Sequence, residues 1–89
     1  MKIMNYVPTK DYVWKEVSSQ VVILHVDSGM YWTLNNTSSL IWNGIINSTP
    51  MDQIVQQICD EFSADEKTVL KDVEIMVRDF LDKKMIEVN

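Results

Sequence analysis

The hydrophobic period of this chain changes at Asn35. Upstream, apolar residues come in short β-branched and aromatic runs separated by turn residues. Downstream they recur at helical spacing. A sheet with one apolar face needs a layer to bury it, so strands followed by helices predict an α+β domain.

Three upstream runs read as strands. "YVWKEV" (12–17) is rich in β-branched and aromatic residues, and Ser18-Ser19 makes a turn. "QVVILHV" (20–26) is continuously apolar, which predicts a central strand covered on both sides. Asp27-Ser28-Gly29 supplies the next turn, and "MYWTL" (30–34) is the third strand. Connections this short imply an antiparallel meander with the third strand at an edge. Residues 1–11, with Pro8 among them, are expected to be a flexible lead-in to a single domain over 12–89.

Downstream, Asn36, Thr37 and Ser38 are candidate caps for a helix carrying Ile41, Trp42 and Ile45 inward. Gly44 weakens that helix by roughly 1 kcal/mol relative to alanine. Thr49-Pro50 with Asp52, and Ser63 with Glu66, are spaced as capping boxes for two further helices. On the last helix, about Asp65 to Lys83, Val69, Leu70, Val73, Met76, Val77, Phe80 and Leu81 fill one arc, the predicted core face. Ile75 lies off that arc among Thr68, Asp72, Asp79 and Asp82. "MIEV" (85–88) alternates like a short terminal strand. The whole is α+β and winged-helix-like: a three-stranded antiparallel sheet, three helices, then a short C-terminal strand.

Several function classes fall away. Thirteen acidic against eight basic residues give a net charge of −5, with no basic cluster to displace phosphate counterions. A winged-helix DNA-binding protein is therefore the lesser alternative. A chain of 89 residues buries only about 60–65% of its unfolded surface, leaving no room for a deep catalytic cleft. The single histidine, His25, reads as a packed structural residue, and the single cysteine, Cys59, as a small buried hydrophobe. With two glycines there is no phosphate loop, and no metal-ligand spacing occurs. No catalytic residues, metal or cofactor are expected. "MKIMNYVPTKDY" does not read as a signal peptide, nor any stretch as a membrane span, which places the protein in the cytoplasm, off the membrane.

What remains is surface beyond the needs of folding. Met30, Trp32 and Leu34 are apolar on one face of the third strand, and Tyr31 with Thr33 occupies the other. An edge strand beside a helix bearing Ile75 and Met76 makes a groove for an extended peptide, added as a further strand. Burial of the third strand beneath the helices, with Trp32 and Tyr31 serving two small cores, explains the same residues.

The ordered set "GMYWTLNNTSSLIW", "TPMDQIVQQICDEF" and "VLKDVEIMVRDFLDKKMIEV" resembles PqqD-like proteins, the leader-peptide recognition elements of ribosomal peptide natural-product pathways. The resemblance spans about Tyr12 to Val88 and includes Leu34-Asn35, Ile41-Trp42, Asp72-Val73 and Phe80-Leu81. It implies that a precursor's leader pairs with Met30, Tyr31, Trp32, Thr33 and Leu34 and lies beside Asp72, Ile75, Met76 and Asp79. Free-standing members resemble the leader-binding proteins of lasso-peptide clusters, which implies a leader-cleaving cysteine protease and an ATP-dependent cyclase as partners. Free-standing members also serve radical-enzyme peptide-modification pathways, the alternative within the family.

Overall fold

The structure is a computed structural model and describes residues 6–88. In chain order the elements are β1 (Tyr6–Pro8), β2 (Tyr12–Val17), β3 (Gln20–His25), β4 (Tyr31–Thr33), α1 (Asn36–Ile46), α2 (Met51–Phe62), α3 (Glu66–Asp82) and β5 (Ile86–Val88). The expected α+β, winged-helix-like order is present, with β2-β3-β4 as an antiparallel meander and three helices after it.

Ser18 and Ser19 both take positive φ, 52° and 69°, the backbone of a two-residue hairpin turn whose twist matches the strands it joins. This fixes the β2–β3 register, with Trp14 opposite Ile23 and Val13 opposite Leu24. On β4, Trp32 then stands opposite Ile23 and Tyr31 opposite Leu24. Alternation sends Val21 and Ile23 into the core, where both are buried. The other face is not covered: Val13, Leu24 and Tyr31 lie in one row across the sheet, all exposed. The expectation that 20–26 is covered on both sides is thus corrected, since the helices lie on one face alone.

The expected flexible lead-in is corrected in part. Residues 1–5 lie outside the described residues, but Tyr6–Pro8 forms β1 and pairs antiparallel with β5, Tyr6 opposite Val88. Thr9 reinforces the ribbon, its amide donating to the Met85 carbonyl and its hydroxyl to that of Lys84.

The core is built on Trp42, which is fully buried and meets Trp14 and Phe80 edge-to-face at 5.4 and 5.3 Å between ring centroids. Ile41, Ile54, Val73, Met85 and Ile86 close around it. Gly44 sits where α1 meets α2: a Cβ there would lie 2.6 Å from Cγ1 and Cδ1 of Ile54. Its cost in helix propensity is the condition for that close approach.

The caps differ from the expected ones. Asn35 caps α1, its Oδ1 accepting from the Ser38 amide at 2.8 Å. Pro50 occupies the N-cap of α2 with no side-chain bond, while the Thr49 amide closes the end of α1 on the Gly44 carbonyl. Ser63, at φ 51°, terminates α2, and Asp65 caps α3 through the Thr68 amide. On α3, Val69, Val73, Val77 and Phe80 are buried and Met76 and Leu81 half-buried. Leu70, expected in the core arc, is instead 44% exposed.

Candidate functional site

β4 is an edge strand of three residues, paired on one side with β3. The His25 amide donates to the Met30 carbonyl and the Leu34 amide to that of Val21, both at 2.8 Å. In an antiparallel ladder, hydrogen-bonded pairs alternate with non-bonded ones. The backbone groups of Met30, Trp32 and Leu34 therefore face β3. Those of Tyr31 and Thr33 face away, leaving two N–H and two C=O groups along the free edge.

Side chains alternate in the other plane. Leu34 is buried and Trp32 half-buried, its ring 6.0 Å from that of Tyr12. Tyr31 is 69% exposed on the outer face, Thr33 is exposed beside it, and Met30 is exposed at the strand's start. The apolar surplus of "MYWTL" thus resolves into one set serving the core and a second left in solvent.

Both ends of β4 are tied to β3. At the far end, the Ser39 hydroxyl accepts from the Val21 amide and donates to the Leu34 carbonyl, which explains a buried serine. At the near end His25 forms the turn: its Nδ1 lies 2.7 Å from Ser28 Oγ and 3.2 Å from the Ser28 amide, with its ring against Tyr12. The histidine is half-buried and bonded locally, as expected of a structural residue.

Past β4 the chain turns into α1, and α3 runs opposite its first turn. Between them lies a hollow of about 260 Å³ lined by Asn35, Thr37, Ser38, Ile41, Asp72, Ile75 and Met76. Ile75 is 58% exposed and Asp72 exposed, while Met76 is half-buried at the core's rim. Of the expected site residues on α3, the structure brings together these three. Asp79 stands apart from the lining, its carboxylate paired with Lys83 one turn on. Thr37 and Ser38 were assigned from sequence to capping alone, Ile41 to the core and Asn35 to the end of the strand, yet the four form the opposite wall. None of the strand residues 30–34 lines the hollow; Asn35, which follows Leu34, does. Larger hollows, of about 430 Å³ at Tyr6, Met51 and Arg78 and about 610 Å³ at the β1–β5 ribbon, lie away from the β4 edge.

Cys59 is half-buried, and burial, followed by the nearby carboxylates of Glu66, Asp60 and Asp65, raises its thiol above the usual range. That is the opposite of an activated nucleophile. Among the described residues, no group of three or more His, Cys, Asp or Glu side chains is arranged to hold a metal, and no helix is long and apolar enough to cross a membrane.

Comparison with known proteins agrees with this geometry. The model of the family described as coenzyme PQQ synthesis protein D (PqqD) matches residues 20–86. The solved structure of TbiB1 in complex with the TbiA(beta) leader peptide is 31% identical. It superposes with a TM-score of 0.80 over 98% of this chain and 95% of that one. Lasso peptide synthetase B1 complexed with the leader peptide, 19% identical, has the same fold, with a TM-score of 0.85 over 93% and 98%. No curated protein gives a significant match.

Proposed function

The chain belongs to the PqqD family, and from that premise we propose that it captures the leader segment of a ribosomally made precursor peptide as a strand added to β4. The observation that carries this reading is the free β4 edge, with the outward backbone of Tyr31 and Thr33, followed two residues on by Asn35 in the wall of the hollow that Ile75 also lines. The chain that is 31% identical to this one is bound to a leader peptide, which supports the same class of ligand here.

The mechanism is capture without chemistry on the ligand. The leader's backbone pairs with the free N–H and C=O groups of Tyr31 and Thr33, each hydrogen bond contributing about 1 kcal/mol net. Trp32 and Leu34 hold the strand against the core from within, and Met30 and Tyr31 offer apolar contact at its start and on its outer face. Beyond the strand, leader side chains descend toward Asp72, Ile75 and Met76, each well-buried apolar anchor contributing roughly 1.5–3 kcal/mol. Asp79, already engaged by Lys83, stands apart from the hollow as part of a neutral pair. Ordering a flexible leader offsets much of this sum, so affinity falls near the submicromolar range.

In this reading the captured leader tethers the core peptide at high effective concentration for the maturation enzymes. These are a leader-cleaving cysteine protease and an ATP-dependent cyclase of lasso-peptide biosynthesis, acting in the cytoplasm where the precursor is made. The test is fluorescence polarisation with a labelled leader segment of the precursor encoded beside this protein. Ile75→Glu leaves the core untouched and places a carboxylate next to Asp72. Covering the exposed part of Ile75 contributes about 1–1.5 kcal/mol, so its loss with an added charge weakens binding about tenfold or more. Unchanged affinity removes Ile75 from the site, and no binding by the native protein rejects the function.

A further inference from the structure

The sheet has a second open edge, on β2. Among the described residues β2 pairs with β3 on one side and with no strand on the other, and it has six residues where β4 has three. Val13, Trp14 and Val17 are exposed along it, as are Lys15 and Glu16. A long edge carrying apolar side chains is a template for a further strand, and a lysine within it is a common defence. What that lysine would meet decides whether the edge stays single.

The ladder determines which backbone groups are free. Val21 and His25 direct theirs to β4, the Val21 carbonyl accepting from the Leu34 amide and the His25 amide donating to the Met30 carbonyl. By alternation Gln20, Val22 and Leu24 face β2, and their partners Val17, Lys15 and Val13 face back. The N–H and C=O groups of Tyr12, Trp14 and Glu16 therefore point outward. An antiparallel strand added to this edge must pair with them.

The segment "KDYVWKE" (10–16) is complementary to its own reverse. Outward from Val13 stand first Tyr12 and Trp14, then Asp11 and Lys15, then Lys10 and Glu16. If two copies meet about a two-fold axis at Val13, Tyr12 of each lies opposite Trp14 of the other, a pairing that the outward backbone groups allow. Lys15 then faces Asp11 of the second copy, and past the strand's start Lys10 comes level with Glu16. An axis at Lys15 would oppose two lysines, and one at Trp14 would set Lys15 against Val13. The register at Val13 thus turns the defending lysine into an attractive contact. Within one chain these charges are uncommitted to ion pairs: the pair found among the described residues is Lys83–Asp79, and Glu16 accepts from the Asn43 side chain. The same axis brings Val13 against Val13, so the exposed row Val13, Leu24 and Tyr31 of one copy continues into that of the other.

We propose that β2 is a self-association edge, on which two copies of this chain pair antiparallel about Val13 and join their sheets into one. Both β4 edges stay open at the ends of the joined sheet. The pairing stands independently of what β4 binds.

Sedimentation velocity from about 10 µM to about 1 mM tests this, a range suited to an interface of a few strand hydrogen bonds and exposed charges. The native chain passes from monomer to dimer as concentration rises. Asp11→Lys sets lysine against lysine and Lys15→Asp sets aspartate against aspartate, so each variant alone has a dimer Kd raised about tenfold or more. Mixed in equal amounts, the two variants again oppose unlike charges at both contacts, and the mixed dimer forms with a Kd within about threefold of the native one. Both side chains are exposed, and the bond from the Val26 amide to the Asp11 carbonyl is made by backbone alone, so each variant melts like the native protein. Recovery on mixing is a result that misfolding of either variant would not give. A native chain that stays monomeric throughout overturns the proposal. Single variants that dimerise like the native chain overturn the register, and a mixture that stays monomeric overturns the charge pairing.

Discussion

The alternation of the β3–β4 ladder can be tested at one atom. Thr33 has its N–H turned away from β3, so Thr33→Pro removes a donor that the folded protein does not use. An outward-facing position on an edge strand is where a sheet tolerates proline, and the preceding Trp32 is already extended, as proline requires. The change in folding stability is therefore small, within about 1 kcal/mol, or roughly 4–8 °C in melting temperature for a domain of this size. Binding responds differently. One strand hydrogen bond, about 1 kcal/mol net, is lost outright. The ring's Cδ also stands where the peptide carbonyl should approach, which weakens the neighbouring bond to the Thr33 carbonyl. Together these give about 1–2 kcal/mol, a five- to thirtyfold rise in Kd. Thermal melting by circular dichroism and leader titration by fluorescence polarisation read the two effects separately. A variant that melts normally and binds normally shows that the leader does not pair at Thr33. One that melts far lower shows that Thr33 faces β3 and that the register is wrong.

Two other positions give sharp expectations. Gly44→Ala gains about 1 kcal/mol in helix propensity but drives a Cβ to 2.6 Å from the fully buried Ile54 side chain; overpacking of about 1–3 kcal/mol prevails, and a higher melting temperature would refute the close approach. Cys59, its thiol raised by burial and by Glu66, Asp60 and Asp65, stays protonated at neutral pH; reaction with a disulfide reagent is slower than for a small free thiol and accelerates as pH rises through and above the ordinary thiol range, whereas fast labelling at neutral pH already at its plateau would contradict the assignment.

Period made the meander and the three helices legible, because burial on one side imposes a repeat of two on a strand and 3.6 on a helix. Of the β1–β5 ribbon only β5 left such a mark, in the alternation of "MIEV". "YVP" is too short to alternate, and its partner strand begins 78 positions later at Ile86. Caps were visible as classes of residue rather than as positions. Asn35, Asn36, Thr37 and Ser38 can all accept a first-turn amide, and the end of β4 decides which stands at the boundary. Thr49 has the right side chain for α2, but its amide is committed to closing α1 through the left-handed Ser48.

At the site, legibility followed surplus. Ile75 could be found because it is apolar off the core arc, and the β4 edge because its outer face carries Tyr31 where a polar residue would serve. Asn35, Thr37, Ser38 and Ile41 were hidden because capping and core packing already account for each, and a residue with one sufficient role shows no excess. The acidic row of α3 misleads for a related reason. Asp72 and Asp79 look alike in sequence, yet Lys83 lies four residues beyond Asp79 and takes its charge, while Asp72 stands exposed on the wall of the hollow. The charge on the α3 wall of the proposed docking site therefore reduces to one carboxylate beside two apolar side chains. On the proposed reading, selectivity for a leader rests on backbone pairing and on the fit against Ile75 and Met76 more than on net charge. Asp72→Asn consequently changes affinity by less than Ile75→Glu in the same titration, and the reverse order would show that charge governs capture.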